Sequence, residues 1–247
     1  RLRRGNMTKV FYGPYDVHPF LLAWEPLVPL AKSLKEFHGR QTESILRCPS
    51  YTSATANMYA VFCPVDISIE IARDQEGNVW PHVFCTDGTF GMGRTQIGDT
   101  SPVLNSSGPP IGTSQNIYQF LSDRYLLMFS SESCKIEIYP PYLHHGKIFG
   151  VAGSFDIGEW FRPISFSGFC FEKPIQIKAG EPLMYIRLPS KAKLHRVLWP
   201  HDIQLYINHA VTFKAGLGNK PLSLMYDRFK RSGLKKKILK IAEQSIV

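Results

Sequence analysis

The sequence predicts a mainly β protein, an antiparallel barrel or sandwich with peripheral N- and C-terminal helices. Three observations support this prediction. Short apolar runs with a period of two follow one another from Met58 to Leu188, turn-forming residues separate these runs, and helical spacing is confined to the two ends of the chain. A succession of short strands without helical crossovers is typical of antiparallel sheets.

The first predicted elements are a strand and a helix. Residues 9–12 alternate in the manner of a short strand. Between residues 25 and 37 the apolar side chains recur at helical spacing. Pro26 and Pro29 lie in this stretch, and proline is tolerated only in the first turn of a helix, so any helix here begins close to them.

The central part of the chain predicts a β-hairpin and then a series of strands. Ile67, Ile69 and Ile71 alternate with polar residues, residues 74–78 supply a turn, and residues 79–85 form the return strand. Residues 86–114 are rich in glycine, proline, serine and threonine, which predicts a long loop. Further strands are predicted at residues 124–129, 135–139, 147–151, 164–171, 175–177 and 183–188.

Composition and charge divide the chain into three parts. The 247 residues carry a net charge of +9. Arginines at the N-terminus contribute three of these charges, and residues 227–243 contribute seven basic against two acidic residues, so the body between them is close to neutral. We predict a disordered leader at residues 1–6, a single β-rich domain at 7–221 and a basic amphipathic helical tail at 222–247.

The basic tail leaves several interpretations open. Its apolar residues recur at helical spacing among lysines, and Gly233 interrupts the pattern. A helix docked on the body is one interpretation, and binding to nucleic acid, to an anionic membrane surface or to a partner protein are the others. No apolar run approaches the roughly 20 residues of a membrane-spanning helix, so no membrane span is predicted.

The densest group of candidate site residues lies in residues 152–163. Asp156 follows a predicted strand and could act as a general base, Trp160 offers a stacking face, and Arg162 could grip an anion. Glu159 and Glu181, which lie in two glycine-containing turns, complete the candidate ligand-binding set. In the alternative interpretation Asp156 caps a turn, Trp160 fills the core and Arg162 pairs with Asp156 or Glu159.

Metal ligands are not predicted from the histidines. None of the eight has a carboxylate two residues later, as the two-histidine, one-carboxylate iron site requires. His144 and His145 are adjacent, and adjacent side chains on a strand point to opposite faces of a sheet. We therefore assign no metal ligand, although this pair is the remaining candidate.

The segment around Asp156 resembles a known family. The run Ala152-Gly153-Ser154-Phe155-Asp156 is similar to the Ala-Gly-Val-Ile-Asp motif of dUTP diphosphatases and dCTP deaminases, and residues 175–183 resemble a later strand and turn of that family. The resemblance implies a β-clip fold, a trimer and a nucleotide hydrolase of the dUTP diphosphatase type. It implies that Asp156 orients the attacking water and that Mg²⁺ bridges the phosphates of the nucleotide.

The whole chain also resembles an uncharacterised protein family of marine bacteriophages, which has a similar Gly-Ser-Phe-Asp-Ile and Trp-Phe-Arg-Pro run. This resemblance implies a viral protein in the cytoplasm of an infected cell or in the virion. Two functions are therefore expected as alternatives. One is a divergent β-clip protein that binds, and could hydrolyse, a nucleotide or small anionic ligand. The other is a non-enzymatic phage structural or assembly protein with a jelly-roll-like body and a basic interaction tail.

Overall fold

Sixteen strands and five helices are assigned in the part of the chain that the structure, a computed structural model, describes. That part comprises residues 7–14, 24–38, 47–64, 66–73, 75, 79–85, 95–96, 101–102, 116–121, 126–144, 147, 149–150, 152–170, 175–212 and 222–247. The strands are β1 Thr8–Gly13, β2 Val28–Pro29, β3 Met58–Phe62, β4 Ile67–Arg73, β5 Val79–Cys85, β6 Thr95–Gln96, β7 Ser101–Pro102, β8 Asn116–Leu121, β9 Leu127–Ser130, β10 Lys135–Tyr139, β11 Phe149–Gly150, β12 Gly153–Asp156, β13 Ser165–Cys170, β14 Ile175–Ile177, β15 Pro182–Arg187 and β16 Ala192–Arg196. The helices are α1 Leu30–His38, α2 Pro49–Thr55, α3 Ile203–Thr212, α4 Leu222–Arg231 and α5 Leu234–Gln244.

Two open sheets enclose the main core. The three-stranded sheet has the order β16-β1-β9, in which β1 pairs with β16 in parallel and with β9 antiparallel. The five-stranded sheet has the order β12-β10-β15-β3-β2, and its neighbours are all antiparallel. Val10 and Met128 of the first sheet form one buried cluster with Ile136 and Ile186 of the second. The two sheets therefore pack face to face, as in a sandwich.

Strand alternation places a second apolar layer on the outer face of the three-stranded sheet. Phe11 and Phe129 neighbour Val10 and Met128 in sequence and therefore point to the opposite face of the sheet. They form a buried cluster with residues of all three C-terminal helices, among them Ile203, Phe229 and Ile238. On the far side of the five-stranded sheet, Leu30 and Leu34 of α1 form a third cluster with Met58, Ala60 and Tyr185 of that sheet.

Two further four-stranded sheets complete the described part. Their orders are β11-β13-β8-β7 and β14-β4-β5-β6. Strands β4 and β5 pair antiparallel over Ile67–Arg73 and Val79–Cys85, which confirms the predicted hairpin. Two short strands, β6 and β7, lie within the predicted loop at residues 86–114, and the rest of that loop lies outside the described residues, as does the predicted leader.

The fold class is mixed α/β, which corrects the expectation of a mainly β protein. Helices cover both outer faces of the paired sheets, and no sheet closes into a barrel among the described residues. Helix α3 is the main omission of the prediction. Its buried residues Ile203, Ile207 and Ala210 stand at helical spacing, yet the β-branched residues around them also favour strands.

Candidate functional site

Asp156 lies at the end of β12, where its carboxylate holds a turn together. Oδ1 accepts hydrogen bonds from the backbone N–H groups of Cys134, at 2.9 Å, and of Gly158, at 2.8 Å. Oδ2 accepts a hydrogen bond from the hydroxyl of Ser133. Both oxygens are thus engaged with groups of the protein, which is the pattern of a turn-capping aspartate.

Gly158 allows this turn to lie directly on the chain that follows β9. A Cβ atom at residue 158 would stand 2.0 Å from the carbonyl oxygen of Glu132 and 2.8 Å from the hydroxyl oxygen of Ser130. That hydroxyl donates to the same Glu132 carbonyl at 2.7 Å. Only glycine leaves room for so close an approach of the two backbone segments.

The turn is also the attachment point of the two basic helices. The Lys235 ammonium of α5 donates to the carbonyl oxygen of Gly158 at 2.8 Å. The Lys230 ammonium of α4 forms an ion pair with the Glu159 carboxylate. The hydrogen bond to Glu159 is the main reason why the pKa of Lys230 is raised. The Glu159 carboxylate therefore helps to hold α4 against the body.

Trp160 and Arg162 form a stacked layer beside the turn. The Arg162 guanidinium carbon lies 4.7 Å from the ring centroid of Phe155 and 4.8 Å from that of Trp160. Desolvation by burial lowers the pKa of Arg162. The Trp160 indole N–H donates to the carbonyl oxygen of Ala210 at 3.3 Å, and its ring lies 6.4 Å from that of Tyr226. Arg162 is thus held by two aromatic faces, the arrangement of cation–π contacts.

Glu181 is not part of this group. It precedes β15, whose Tyr185 pairs with Tyr139 at one end of β10, whereas Asp156 pairs with Lys135 at the other end. Its carboxylate accepts two hydrogen bonds from Lys147 at 2.6 and 2.7 Å. The structure therefore brings together Asp156, Glu159, Trp160 and Arg162 and leaves Glu181 at the opposite end of the five-stranded sheet.

His144 belongs to a buried polar network that sequence reasoning missed. Its Nε2 lies 2.8 Å from the Ser33 hydroxyl and its Nδ1 lies 2.6 Å from the Tyr185 hydroxyl, which also accepts the Leu143 N–H at 3.0 Å. Ser33 and Tyr185 are 111 and 41 residues from His144 in sequence, so no local motif indicates the group.

The proton positions in this network allow two arrangements. Burial raises the pKa of Tyr185, so the phenol keeps its proton. The donor and acceptor in the two contacts of His144 depend on its tautomer: either the phenol donates to Nδ1 and Nε2–H donates to Ser33, or Ser33 donates to Nε2 and Nδ1–H donates to the phenol oxygen. In both cases Ser33 is only 2% exposed, so its hydroxyl is not accessible to a substrate. The network therefore joins α1 to the five-stranded sheet.

The exposed sides of α4 and α5 form a basic surface. We use this name for Arg228, Arg231, Lys236, Lys237 and Lys240, which are all exposed. Among the described residues none of the five forms an ion pair or a side-chain hydrogen bond. Of the two acidic residues in the tail, Glu243 pairs with Lys9 at 2.9 Å.

An open depression lies at the end of α5, with a volume of about 440 Å³. Lys9, Lys193, His195, Glu132 and Glu243 line it, together with Met7 and Ser131. Desolvation, followed by the nearby charges of Lys193 and Lys9, lowers the pKa of His195. With His195 neutral, the positive charges of Lys9 and Lys193 cancel the negative charges of Glu132 and Glu243. This depression is therefore not an anion-binding site of its own.

Metal sites and membrane spans are absent from the part of the chain that the structure describes. No group of three or more histidine, cysteine, aspartate or glutamate side chains could hold a metal ion there. Within the same residues, no helix is both long and apolar enough to cross a bilayer. The Mg²⁺ expected to bridge the phosphates of a nucleotide stays a prediction; Asp156 accepts two hydrogen bonds at Oδ1 and one at Oδ2.

Comparisons with known proteins do not assign the chain to a family. No family model, no curated protein and no solved structure matches it. The residues themselves must therefore carry any functional conclusion.

Proposed function

We propose that this protein is a non-enzymatic nucleic-acid-binding protein that contacts the phosphate backbone through the basic surface of α4 and α5. In the setting that the phage resemblance implies, it would be a structural or assembly protein. The observation that carries the proposal is the set of five exposed cations on two adjoining helices without acidic partners among the described residues. Clustered, unneutralised cations on one face are the electrostatic footprint of a phosphate-binding surface.

The burial of the apolar side of the tail favours nucleic acid over a membrane surface. Phe229 and Ile238 are fully buried in the cluster beneath the three-stranded sheet, and Ala242 is buried beside them. A helix that binds a lipid surface inserts its apolar face between the headgroups. In α4 and α5 most of that face already packs against the body, although Leu224 of α4 is 42% exposed, so the charged side makes up most of what is presented.

The residue types of the surface favour a double-stranded partner without sequence preference. Tyr206 and Tyr226 of α3 and α4 are half-buried and Phe229 is buried, so the described part of these helices presents no fully exposed aromatic ring. Proteins that hold single strands stack bases on such rings. Lysine and arginine contacts to phosphates position a protein on a duplex without reading bases.

The test is the salt dependence of binding to a duplex of random sequence. If the five cations each neutralise one phosphate, the logarithm of the association constant falls with the logarithm of salt concentration with a slope of about −4.5. Replacing Lys236, Lys237 and Lys240 by glutamine should make this slope shallower by about 3. Fluorescence anisotropy at several salt concentrations measures both slopes.

A matched control separates this surface from the net charge. Replacing Lys32, Lys35 and Lys178 by glutamine removes the same charge from α1 and from the turn before β15, away from the basic surface. We expect the slope of this variant to stay within about 1 of the wild-type value. Equal changes in the two variants, or binding that is insensitive to salt, would contradict the proposal.

The nucleotide-binding function implied by the dUTP diphosphatase resemblance is a second candidate. One observation favours it: the layer of Phe155, Arg162 and Trp160 combines a cation with two ring faces that are all partly exposed. Asp156 accepts two hydrogen bonds at Oδ1 and one at Oδ2, so a water for a nucleotide would have to bind at Oδ2. The β-clip fold and the trimer remain predictions of the same resemblance.

Thermal unfolding tests this second candidate directly. Addition of dUTP at a hundred times its dissociation constant stabilises a binding protein by about 2.7 kcal/mol. The candidate predicts such a rise in melting temperature for the wild-type protein and its loss in the Asp156→Ala variant. Absence of a shift with every nucleoside triphosphate, with and without Mg²⁺, would rule the candidate out.

A further inference from the structure

Three successive residues of the turn after β12 contact three different helices of the C-terminal region. The Gly158 carbonyl accepts from Lys235 of α5, Glu159 pairs with Lys230 of α4, and the Trp160 indole donates to Ala210 of α3. The next residue, Phe161, is fully buried in the cluster that those helices cover. The turn that carries Asp156 is thus the attachment site of the helical layer.

These contacts divide the seven basic residues of the tail into two sets. Lys230 and Lys235 are bound to the turn, Lys235 is half-buried, and their ammonium groups are directed at the body. The other five form the basic surface and are exposed. Residue type does not distinguish the sets, because Lys235 is bound to the turn whereas Lys236, Lys237 and Lys240 of the same helix are exposed.

We infer that Glu159 and Gly158 position the basic surface, and that Glu159 withholds Lys230 from the phosphate backbone. This inference rests on the proposed function. Glu159 is 19% exposed and Lys230 is 52% exposed, so the pair lies at the border between the body and the surface. A duplex that bound Lys230 would leave the Glu159 carboxylate without its partner at this half-buried position. Lys230 therefore stays with Glu159 when the other five cations bind.

The Glu159→Gln variant tests this competition. Removal of the carboxylate charge frees Lys230 for an additional phosphate, so the salt slope of duplex binding should become steeper by about 0.9. In the Glu159→Gln/Lys230→Met variant the slope should return to the wild-type value. Equal slopes for these two variants, or no change in either, would overturn the inference.

A matched control excludes the effect of net charge alone. Asp227 is an exposed acid on the same helix as Lys230, and its charge also acts on that lysine. The Asp227→Asn variant changes the net charge as Glu159→Gln does but releases no lysine that is hydrogen-bonded to the turn. Its slope should remain at the wild-type value, and a steepening as large as that of Glu159→Gln would contradict the role of Glu159.

A stability measurement separates failure of the inference from failure of the proposed function. Lys235→Met loses the hydrogen bond to Gly158 and should lower the melting temperature by about 3 °C, whereas Lys236→Met should change it by less than about 1 °C. If the wild-type protein binds no duplex, the proposed function fails. The positioning role of the turn is then tested by the melting temperatures of these two variants alone. Equal temperatures for both variants would overturn that role as well.

Discussion

Replacing Phe229 by alanine is expected to lower the free energy of unfolding by about 4 kcal/mol. Phe229 is fully buried, and its ring meets that of Phe129 edge to face at 6.1 Å between centroids. The substitution removes a ring from the contact between α4 and the three-stranded sheet and leaves a cavity there. For a chain of this length such a loss lowers the melting temperature by about 12 °C.

Leu224 provides the matched control on the same helix. Its side chain is 42% exposed, so Leu224→Ala removes little buried surface and should cost less than about 1 kcal/mol. Thermal or urea unfolding of the two variants measures the difference. Similar costs would mean that α4 does not pack through Phe229, and the membrane-surface interpretation of the tail would then regain its basis.

The tail shows what local periodicity can predict. The spacing of the apolar residues indicated an amphipathic helix with an interruption at Gly233, and the structure has two helices that meet there, with Gly233 at φ 73°. Left-handed backbone of this kind favours glycine. The same pattern could not decide what covers the apolar side, because Phe129 and Phe161, its partners, are distant in sequence.

The predicted strands match the structure where polar and apolar residues alternate along the chain, or where the apolar run is short. Residues 135–139 and 175–177 match β10 and β14, and the hairpin of β4 and β5 has the expected pairing. The prediction missed β16, whose run Ala192–Arg196 mixes two basic residues and a histidine with Leu194. Its partner β1 lies more than 180 residues away, so pairing and not local preference makes it a strand.

The sequence placed most of the candidate site residues in one turn but did not determine their roles. Asp156, Glu159, Trp160 and Arg162 were predicted as a catalytic and ligand-binding site, and the structure brings the four side chains together, while that function stays a prediction. A carboxylate beside a glycine suits a general base and a turn cap equally well, and the choice depends on Ser133 and Cys134, which pairing of β10 with β12 brings to it. The role of Glu159 likewise depends on its ion pair with Lys230.

Substitution of Gly158 by alanine is the second large effect, with an expected cost of about 3 kcal/mol. The new methyl group would stand 2.0 Å from the Glu132 carbonyl oxygen, a backbone atom that no side-chain rotation can move away. Relief requires the turn to separate from the chain after β9. The Gly158 carbonyl would shift with it and so would the attachment of Lys235, so the basic surface should also lose its fixed position.

Gly153 is the control for this prediction, because it lies in the same strand and turn segment. A Cβ atom there meets nothing within 4 Å, and the residue is exposed, so Gly153→Ala should change the free energy of unfolding by less than about 0.5 kcal/mol. Unfolding of both variants, combined with the salt slope of duplex binding, distinguishes two cases. If Gly158→Ala lowers stability and makes the slope shallower while Gly153→Ala changes neither, the turn holds the tail in its binding arrangement. If Gly158→Ala is as stable as Gly153→Ala, the close approach of the turn to Glu132 is not a constraint on the fold.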